Sequence, residues 1–330
     1  MDLPLLSAFF VALSLSLYVL LDGFDLGVGA LLLIQPDERL RDRMVDAIMP
    51  TWDGNETWLI MAGVALLAAF PIAYGVLLPA FYLPLIVMLL SLGLRGVSFE
   101  FRYQVTRGRR FWDFAFGLGS LLAALMQGIV VGGLVQGITV SEGGFAGSVY
   151  DTFHLFSALT GIAVLVGYCV LGAGWLHLKG TPEVRAFAVR LLRRATPAFI
   201  VLSALVCVTA AEVQPGIRDA WAAHYVALSV LSALFMLVAA ALLRAVAQTS
   251  DWLPFGMGIV LFLLAVAGLA IAVFPNIVPF RVSLWAASSP AMSQTFMLIG
   301  AAVVTPMVLG YSAFAYRVFR GKTPDEGWET

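Results

Sequence analysis

The chain has 330 residues, of which 61% are hydrophobic and only 12% charged, with a mean hydropathy of +0.95 and a net charge of −1. This excludes a soluble domain of ordinary composition, and the near-zero net charge offers nothing to nucleic acid. What remains is a polytopic membrane protein, expected to form a single transmembrane domain over 1–330. Cys169 and Cys207 both fall in apolar segments without metal-ligand spacing, so neither a disulfide framework nor a metal site is indicated. The start carries no positive region and no small-residue cleavage site, so the first segment is expected to be kept as a helix.

Spanning the hydrocarbon takes roughly 20 apolar residues. Nine such segments follow in chain order, at approximately 3–34, 53–73, 77–100, 112–138, 153–178, 196–213, 221–246, 253–275 and 290–317. Pro71, Tyr74, Gly75 and Pro79 mark the turn between the second and third. Pro306 is expected to kink the last segment without ending it, because neighbouring helices can satisfy the freed backbone groups. Arg39, Arg41 and Arg43 lie in the first loop, and Arg102, Arg107, Arg109 and Arg110 in the third. Lys179, Arg185, Arg190, Arg193 and Arg194 surround the fifth, Arg244 lies in the seventh, and Arg317, Arg320 and Lys322 are in the tail. The even loops hold only Arg218 and Arg281, which sets the N-terminus outside and the C-terminus in the cytoplasm. Gly23 and Gly27, Gly128 and Gly132, and Gly133 and Gly137 are each four apart, the spacing of close helix contact. Tyr18–Gly23 and Tyr168–Gly174 are faintly alike, too weakly to define a repeat.

Within the first segment the stretch from Asp22 to Gly29 reads Asp-Gly-Phe-Asp-Leu-Gly-Val-Gly. Carboxylates inside an apolar span are by default a functional hypothesis. Ser14, Tyr18, Asp22, Asp25 and Gly29 share one helix face. The second segment opens with Trp52-Asp53-Gly54-Asn55-Glu56-Thr57-Trp58, which sets Asp53 and Glu56 at the depth of the first pair. They have two readings, as caps on a helix N-terminus or as members of the same polar site. In the third segment Ser91, Arg95, Ser98 and Arg102 share a face, and Arg95 is either a counter-charge in a working site or half of a purely structural buried pair. Four acids gathered with one arginine on the cytoplasmic side read as a proton or ion route. His154, His177 and His224 make no set at matched depth for haem and read as polar residues at interfaces. Glu212 and Gln214 fall at an outer helix end, with no role assigned.

These motifs resemble subunit II of cytochrome bd-type quinol oxidases. Leu21–Gly29 is similar to that family's first-helix signature and Trp52–Leu59 to its second. Arg95–Arg102, Phe274–Pro279 with Leu284–Ser289, and Tyr316–Lys322 follow in the family's order, while the stretch from about Trp112 to Asp251 matches only in hydropathy and length. The resemblance implies an all-α membrane protein of nine transmembrane helices, two four-helix bundles plus one peripheral helix, in the bacterial cytoplasmic membrane. It implies a pseudo-symmetric partner, subunit I, that holds two b-type haems and one d-type (or third b-type) haem and oxidises quinol on a loop. A tightly bound structural quinone in this chain and a small single-helix subunit are also compatible with the family.

On the same resemblance Asp53 lies on a proton path to the oxygen-reducing haem, supported by Asp22, Asp25 and Glu56, although glutamine can replace Glu56 in the family. Arg95, Glu100 and Asn55 are assigned charge balance or a structural role. Trp58 is assigned to the mouth of a hydrophobic oxygen channel, with a packed aromatic as its other reading. The expected function is support of quinol oxidation coupled to oxygen reduction and a protonmotive force, without catalysis by this chain alone. The alternatives are a proton-coupled secondary transporter, which would need broken helices around a midplane cavity, and a purely structural partner.

Overall fold

The computed structural model describes residues 2–105, 107–141, 144–246 and 250–324. The chain is mostly helical. The first helix, α1, runs over Leu3–Leu32; Asp2 caps it by accepting from the Leu5 amide at 3.1 Å, and Pro4 sits in the first turn, where its missing N–H costs nothing. A short amphipathic helix follows, α2 (Glu38–Asp46), capped by Asp37. Next come α3 (Trp52–Ala69) and α4 (Pro71–Ala80), separated at Phe70 because a residue before proline is driven out of helical conformation. α5 spans Tyr82–Gln104, and Gly108, at φ 88°, makes the left-handed turn into α6 (Arg109–Gln136). The hairpin β1 (Val140–Ser141) and β2 (Gly144–Phe145) leads to α7 (Leu155–Lys179), α8 (Pro182–Val213), α9 (Pro215–Ala223), α10 (Tyr225–Ala245) and α11 (Leu253–Val273). A second hairpin, β3 (Asn276–Val278) and β4 (Val282–Ser283), precedes α12 (Leu284–Ala287) and α13 (Ala291–Val318). Pro306 lies inside α13, which runs through it unbroken.

Among the described residues eight helices are long and apolar enough to cross a membrane: α1, α5, α6, α7, α8, α10, α11 and α13. The segment expected at 53–73 corresponds to α3, which has 18 residues and a first turn and a half too polar to qualify on apolarity. Two boundaries differ from expectation for a physical reason. α8 begins 14 residues before the expected 196, because a basic amphipathic stretch extends the helix beyond the apolar part that hydropathy detects. The expected 77–100 segment is displaced to 82–104, because Pro71 and Pro79 allow a separate short helix ahead of it.

α1 is the hub. It packs against α3, α6 and α7, while α5 packs along α6, α7 along α8 and α11, and α10 along α11. The main core lies where these helices meet, around Phe24, Phe116, Leu171 and Trp175, with the Phe24 and Trp175 rings stacked at 4.4 Å. α13 lies against α1 and α3, and none of its most apolar window is buried.

Candidate functional site

The glycines of α1 set the site's geometry. A Cβ at Gly27 would run into the carbonyl of Tyr168, and one at Gly23 would sit 2.6 Å from the Tyr168 ring, so only glycine lets α7 lie this close to α1. Gly119 does the same for α6 and α5: a Cβ there would be 2.7 Å from the Ser91 carbonyl and 3.1 Å from the Arg95 amide. The helix carrying Arg95 is thereby drawn in towards α1.

Arg95 is 1% exposed and donates through Nη1 to Asp22 Oδ1 at 2.7 Å, while Asp22 is fully buried. The other end of the guanidinium, Nη2, pairs with Glu56 of α3. Trp52 covers the same group, its ring 5.8 Å from Cζ. Asp25, also fully buried, accepts from Asn55 Nδ2 at 2.7 Å. Asn55 also donates to the Leu21 carbonyl at 3.2 Å and accepts from the Tyr316 hydroxyl of α13 at 3.1 Å. Four helices therefore meet at one buried polar site with three carboxylates and a single arginine. Asp22 Oδ2, Asp25 Oδ1 and Arg95 Nε remain without a hydrogen-bond partner among the described residues. Such groups are costly in a dry interior and are suited to taking up protons or water.

The sequence-predicted residues divide into those inside this site and those beside it. Asp22, Glu56 and Arg95 form one bonded set and Asp25 with Asn55 another, the two lying side by side on α1 and coupled electrostatically. Glu56 is the half-open edge, with its side chain 26% exposed. Its pairing with Arg95, and the absence of a side-chain cap on α3, favour the polar-site reading of Glu56 over helix capping. Asp53 is exposed, one turn before Glu56 and within electrostatic reach of it. Glu100 is exposed and makes no ion pair among the described residues. Trp58 is fully buried, its indole N–H without a hydrogen-bond partner among the described residues.

Two groups of residues escaped the sequence reading. Gln127 of α6 donates to the Tyr18 hydroxyl and accepts from the Tyr168 hydroxyl, each at 2.7 Å. Its signal was a lone amide in the middle of an apolar run. At the basic helix ends Asp113 of α6 binds Arg41 Nε at 2.8 Å through one oxygen and Arg102 Nε at 2.5 Å through the other. Arg102 also pairs with Asp42, which Arg109 reaches at 3.1 Å. Asp113 was visible as a single acid just inside the fourth segment.

The basic α2 and the basic ends of α5, α6, α7 and α13 gather on one side of the molecule. Lys322 pairs with Asp251 at 3.2 Å, the Thr323 amide donates to the Lys179 carbonyl at 2.8 Å, and Arg43 donates to the Pro324 carbonyl at 2.9 Å. Burial pushes the Asp46 carboxyl above the usual range, against the opposing effects of the Tyr103 hydrogen bond, Arg102 and Arg43. At Asp251 burial is the largest single influence and pulls upward, but Lys322, Arg185 and His177 together outweigh it and hold the carboxyl below that range. A cavity of about 560 Å³ lies at the other end of the helices, lined in part by Gly133, Gln136, His154, Gln214 and Arg281. It shares no residue with the acid cluster, and the buried charges, which must have a reason to be tolerated, mark the site more strongly than the cavity does. His177 is held between the Asp251 carbonyl and Arg185, while His154 and His224 are exposed at helix starts.

Residues 3–319 match the family described as cytochrome bd terminal oxidase subunit II. The chain is 30% identical to the Escherichia coli (strain K12) protein "Cytochrome bd-I ubiquinol oxidase subunit 2", covering 94% of this chain and 93% of that one. It is 29% identical to the Haemophilus influenzae "Probable cytochrome oxidase subunit 2" over 91% of this chain and 90% of that one. With the Bacillus subtilis (strain 168) "Cytochrome bd ubiquinol oxidase subunit 2" it shares 28% identity, over 92% and 91%. The fold is similar to a chain of the bd oxidase from Geobacillus thermodenitrificans, with a TM-score of 0.79 at 14% identity, covering 97% of this chain and 99% of that one.

Proposed function

The chain belongs to the cytochrome bd terminal oxidase subunit II family, and from that premise we propose that it supplies a proton route from the cytoplasmic side towards the haem-bearing subunit I. It is a multi-pass inner-membrane subunit of an oxidoreductase complex in which quinol and haem take part alongside subunit I. The observation that carries the proton reading is the charge balance of the buried site: Asp22, Asp25 and Glu56 surround the single cation Arg95. One arginine neutralises one carboxylate, so the remaining acid capacity can hold protons.

In this reading Asp53, exposed on α3, collects protons at the surface. Glu56 accepts them at the half-open edge, and Arg95, paired with both Glu56 and Asp22, balances one negative charge at a time while protons pass on to Asp22 and Asp25. Asn55 and Tyr316 hold Asp25 in place from α3 and α13. Trp58 keeps its assignment to the mouth of a hydrophobic oxygen channel, with a packed aromatic as its other reading. The two b-type haems and the d-type (or third b-type) haem, assigned to subunit I, carry the electrons that reduce oxygen when bound there. Because quinol releases its protons on the outer side, uptake from the cytoplasm would build a protonmotive force without a pump.

The topology belongs to the same proposal. The basic ends lie together, which by the positive-inside rule is the cytoplasmic side. α3 leaves that side next to α2, and at its other end the Ala69 carbonyl accepts from the Ser289 amide near the start of α13. Its 18 residues span about 27 Å, close to the hydrocarbon thickness. α3 is thus the ninth crossing, with its polar start at the interface. The packing pairs support one bundle of α1, α3, α5 and α6, a second of α7, α8, α10 and α11, and α13 as the peripheral helix. Family membership favours the oxidase over a secondary transporter.

The test is Asp53→Asn and Glu56→Gln, each in an oxidase that assembles with full haem content. Slowed oxygen consumption in both supports the route. Unaltered oxygen consumption in both removes Asp53 and Glu56 from it.

A further inference from the structure

Tyr18, Gln127 and Tyr168 come from three different helices and form one buried hydrogen-bonded row. Tyr18 is 3% and Tyr168 1% exposed, and Gln127 lies between them at 2.7 Å from each hydroxyl oxygen. Tyr168 reaches this position because Gly23 and Gly27 let α7 lie against α1. The row ends beside Asp22, one helical turn beyond Tyr18, where Asp22 Oδ2 is buried with no hydrogen-bond partner among the described residues. It leads nowhere else: the Tyr168 ring stacks on Phe262, at 5.5 Å, in the apolar core. A row with a closed end cannot conduct protons, but it can dictate which way its hydrogen bonds point.

The direction follows from the donors and acceptors. Tyr168 gives its proton to Gln127 Oε1, so Gln127 Nε2 must donate to the Tyr18 oxygen. With that oxygen accepting, the Tyr18 proton is free to turn towards Asp22. We propose that Gln127 is a positioning residue for proton exchange at Asp22: held by Tyr168, it aims the Tyr18 hydroxyl proton at the Asp22 carboxylate. The inference rests on the proton-route reading above and goes beyond it by naming what prepares Asp22 to gain and lose a proton.

The row favours one orientation. Turning the Gln127 amide over would set Nε2 against the Tyr168 oxygen and leave the buried Tyr168 proton without an acceptor among the described residues. The orientation seen strands no proton of the amide or of Tyr168, and so keeps the Tyr18 hydroxyl proton available to Asp22. The other groups that act on Asp22 are Arg95 of α5, Glu56 of α3, Asp25 on its own helix, Tyr168 of α7 and Tyr316 of α13. α6 contributes only the neutral Gln127.

The experiment uses the whole oxidase with Tyr18→Phe or Gln127→Met in this chain, both of which keep side-chain shape, and with Asp22→Asn in parallel. Quinol-driven oxygen consumption is measured across pH after haem content has been verified. Both shape-keeping variants are expected to displace the pH profile by about one unit towards higher pH, the effect of losing one donor to a charged acceptor. The double variant is expected to go no further than either single one, because both act through the same hydroxyl. An unmoved profile, a uniform loss at every pH, a displacement in Tyr18→Phe alone, or failure of both variants to assemble would overturn the proposal. Asp22→Asn separates the two levels: full turnover there overturns the proton route itself, whereas loss there with unmoved profiles in the other two overturns only the role of Gln127.

Discussion

Two clusters of this protein are built from the same residue types, aspartate and arginine, and do opposite things with them. At the basic end Asp113 gives one oxygen to Arg41 and the other to Arg102, while Asp42 takes Arg102 and Arg109. Arginine is in excess and every carboxylate is engaged. Within the bilayer region Asp22 and Glu56 share one arginine, Asp25 has only Asn55, and one oxygen on each aspartate has no hydrogen-bond partner among the described residues. The first arrangement ties α2, α5 and α6 together. The second leaves carboxylates in excess of their counter-charge, which is what the proposed proton route requires.

The largest expected separation between the clusters is in turnover. Asp22→Asn should lower oxygen consumption on the order of 100-fold in an assembled complex, the usual scale for losing a positioned proton-transfer group. Asp113→Asn should leave turnover per intact complex unchanged.

Next comes stability, where the ranking reverses. Asp113→Ala strands Arg41 and Arg102 without their shared carboxylate, and breaking a buried pair in this way costs about 3–5 kcal/mol. Thermal unfolding of the detergent-solubilised complex should register it as a lower midpoint, well below that of Asp22→Asn. Gly27→Ala should cost a further class of energy, about 1–3 kcal/mol of overpacking against the Tyr168 carbonyl, and should reduce turnover as well because it pushes α7 off the site.

The smallest effect is at the tail. Asp251 is held below the usual carboxylate range and is ion-paired with Lys322 and Arg185. A depressed folded value gives stability that is present above the group's ordinary titration range and lost as pH falls through the folded one. Being largely exposed, it contributes a fraction of a kcal/mol that salt screens further. Asp251→Asn should therefore remove a slight acid sensitivity in the unfolding midpoint and leave oxygen consumption alone.

Much of the intramembrane cluster was legible because periodicity and charge scarcity act together in a membrane span. Asp22 and Asp25 stood out against an apolar background, and Arg95, sharing a face with Ser91 and Ser98, was the available counter-charge at their depth. Gly23 and Gly27 announced a close helix contact, though which helix would make it depended on the tertiary packing that brings α7 in. The faint likeness of Tyr18–Gly23 to Tyr168–Gly174 acquires meaning only in three dimensions, where both tyrosines bond the same glutamine. Asp53 illustrates the opposite limit. Helical spacing placed it next to Glu56, but a side chain at the lipid-facing or partner-facing edge of α3 cannot be told from one pointing inward until the neighbouring helices are known. α8 shows a third limit, since hydropathy detects the hydrocarbon-spanning part of a helix and is blind to its basic extension.

The most direct measurement follows proton uptake from the cytoplasmic side during oxygen reduction, in vesicles carrying the oxidase with Asp22→Asn or, side by side, Asp113→Asn. The account predicts that Asp22→Asn slows uptake and oxygen reduction together while haem content stays full, and that Asp113→Asn takes up protons at the unaltered rate per assembled complex. Full-rate uptake in the Asp22→Asn complex would contradict it.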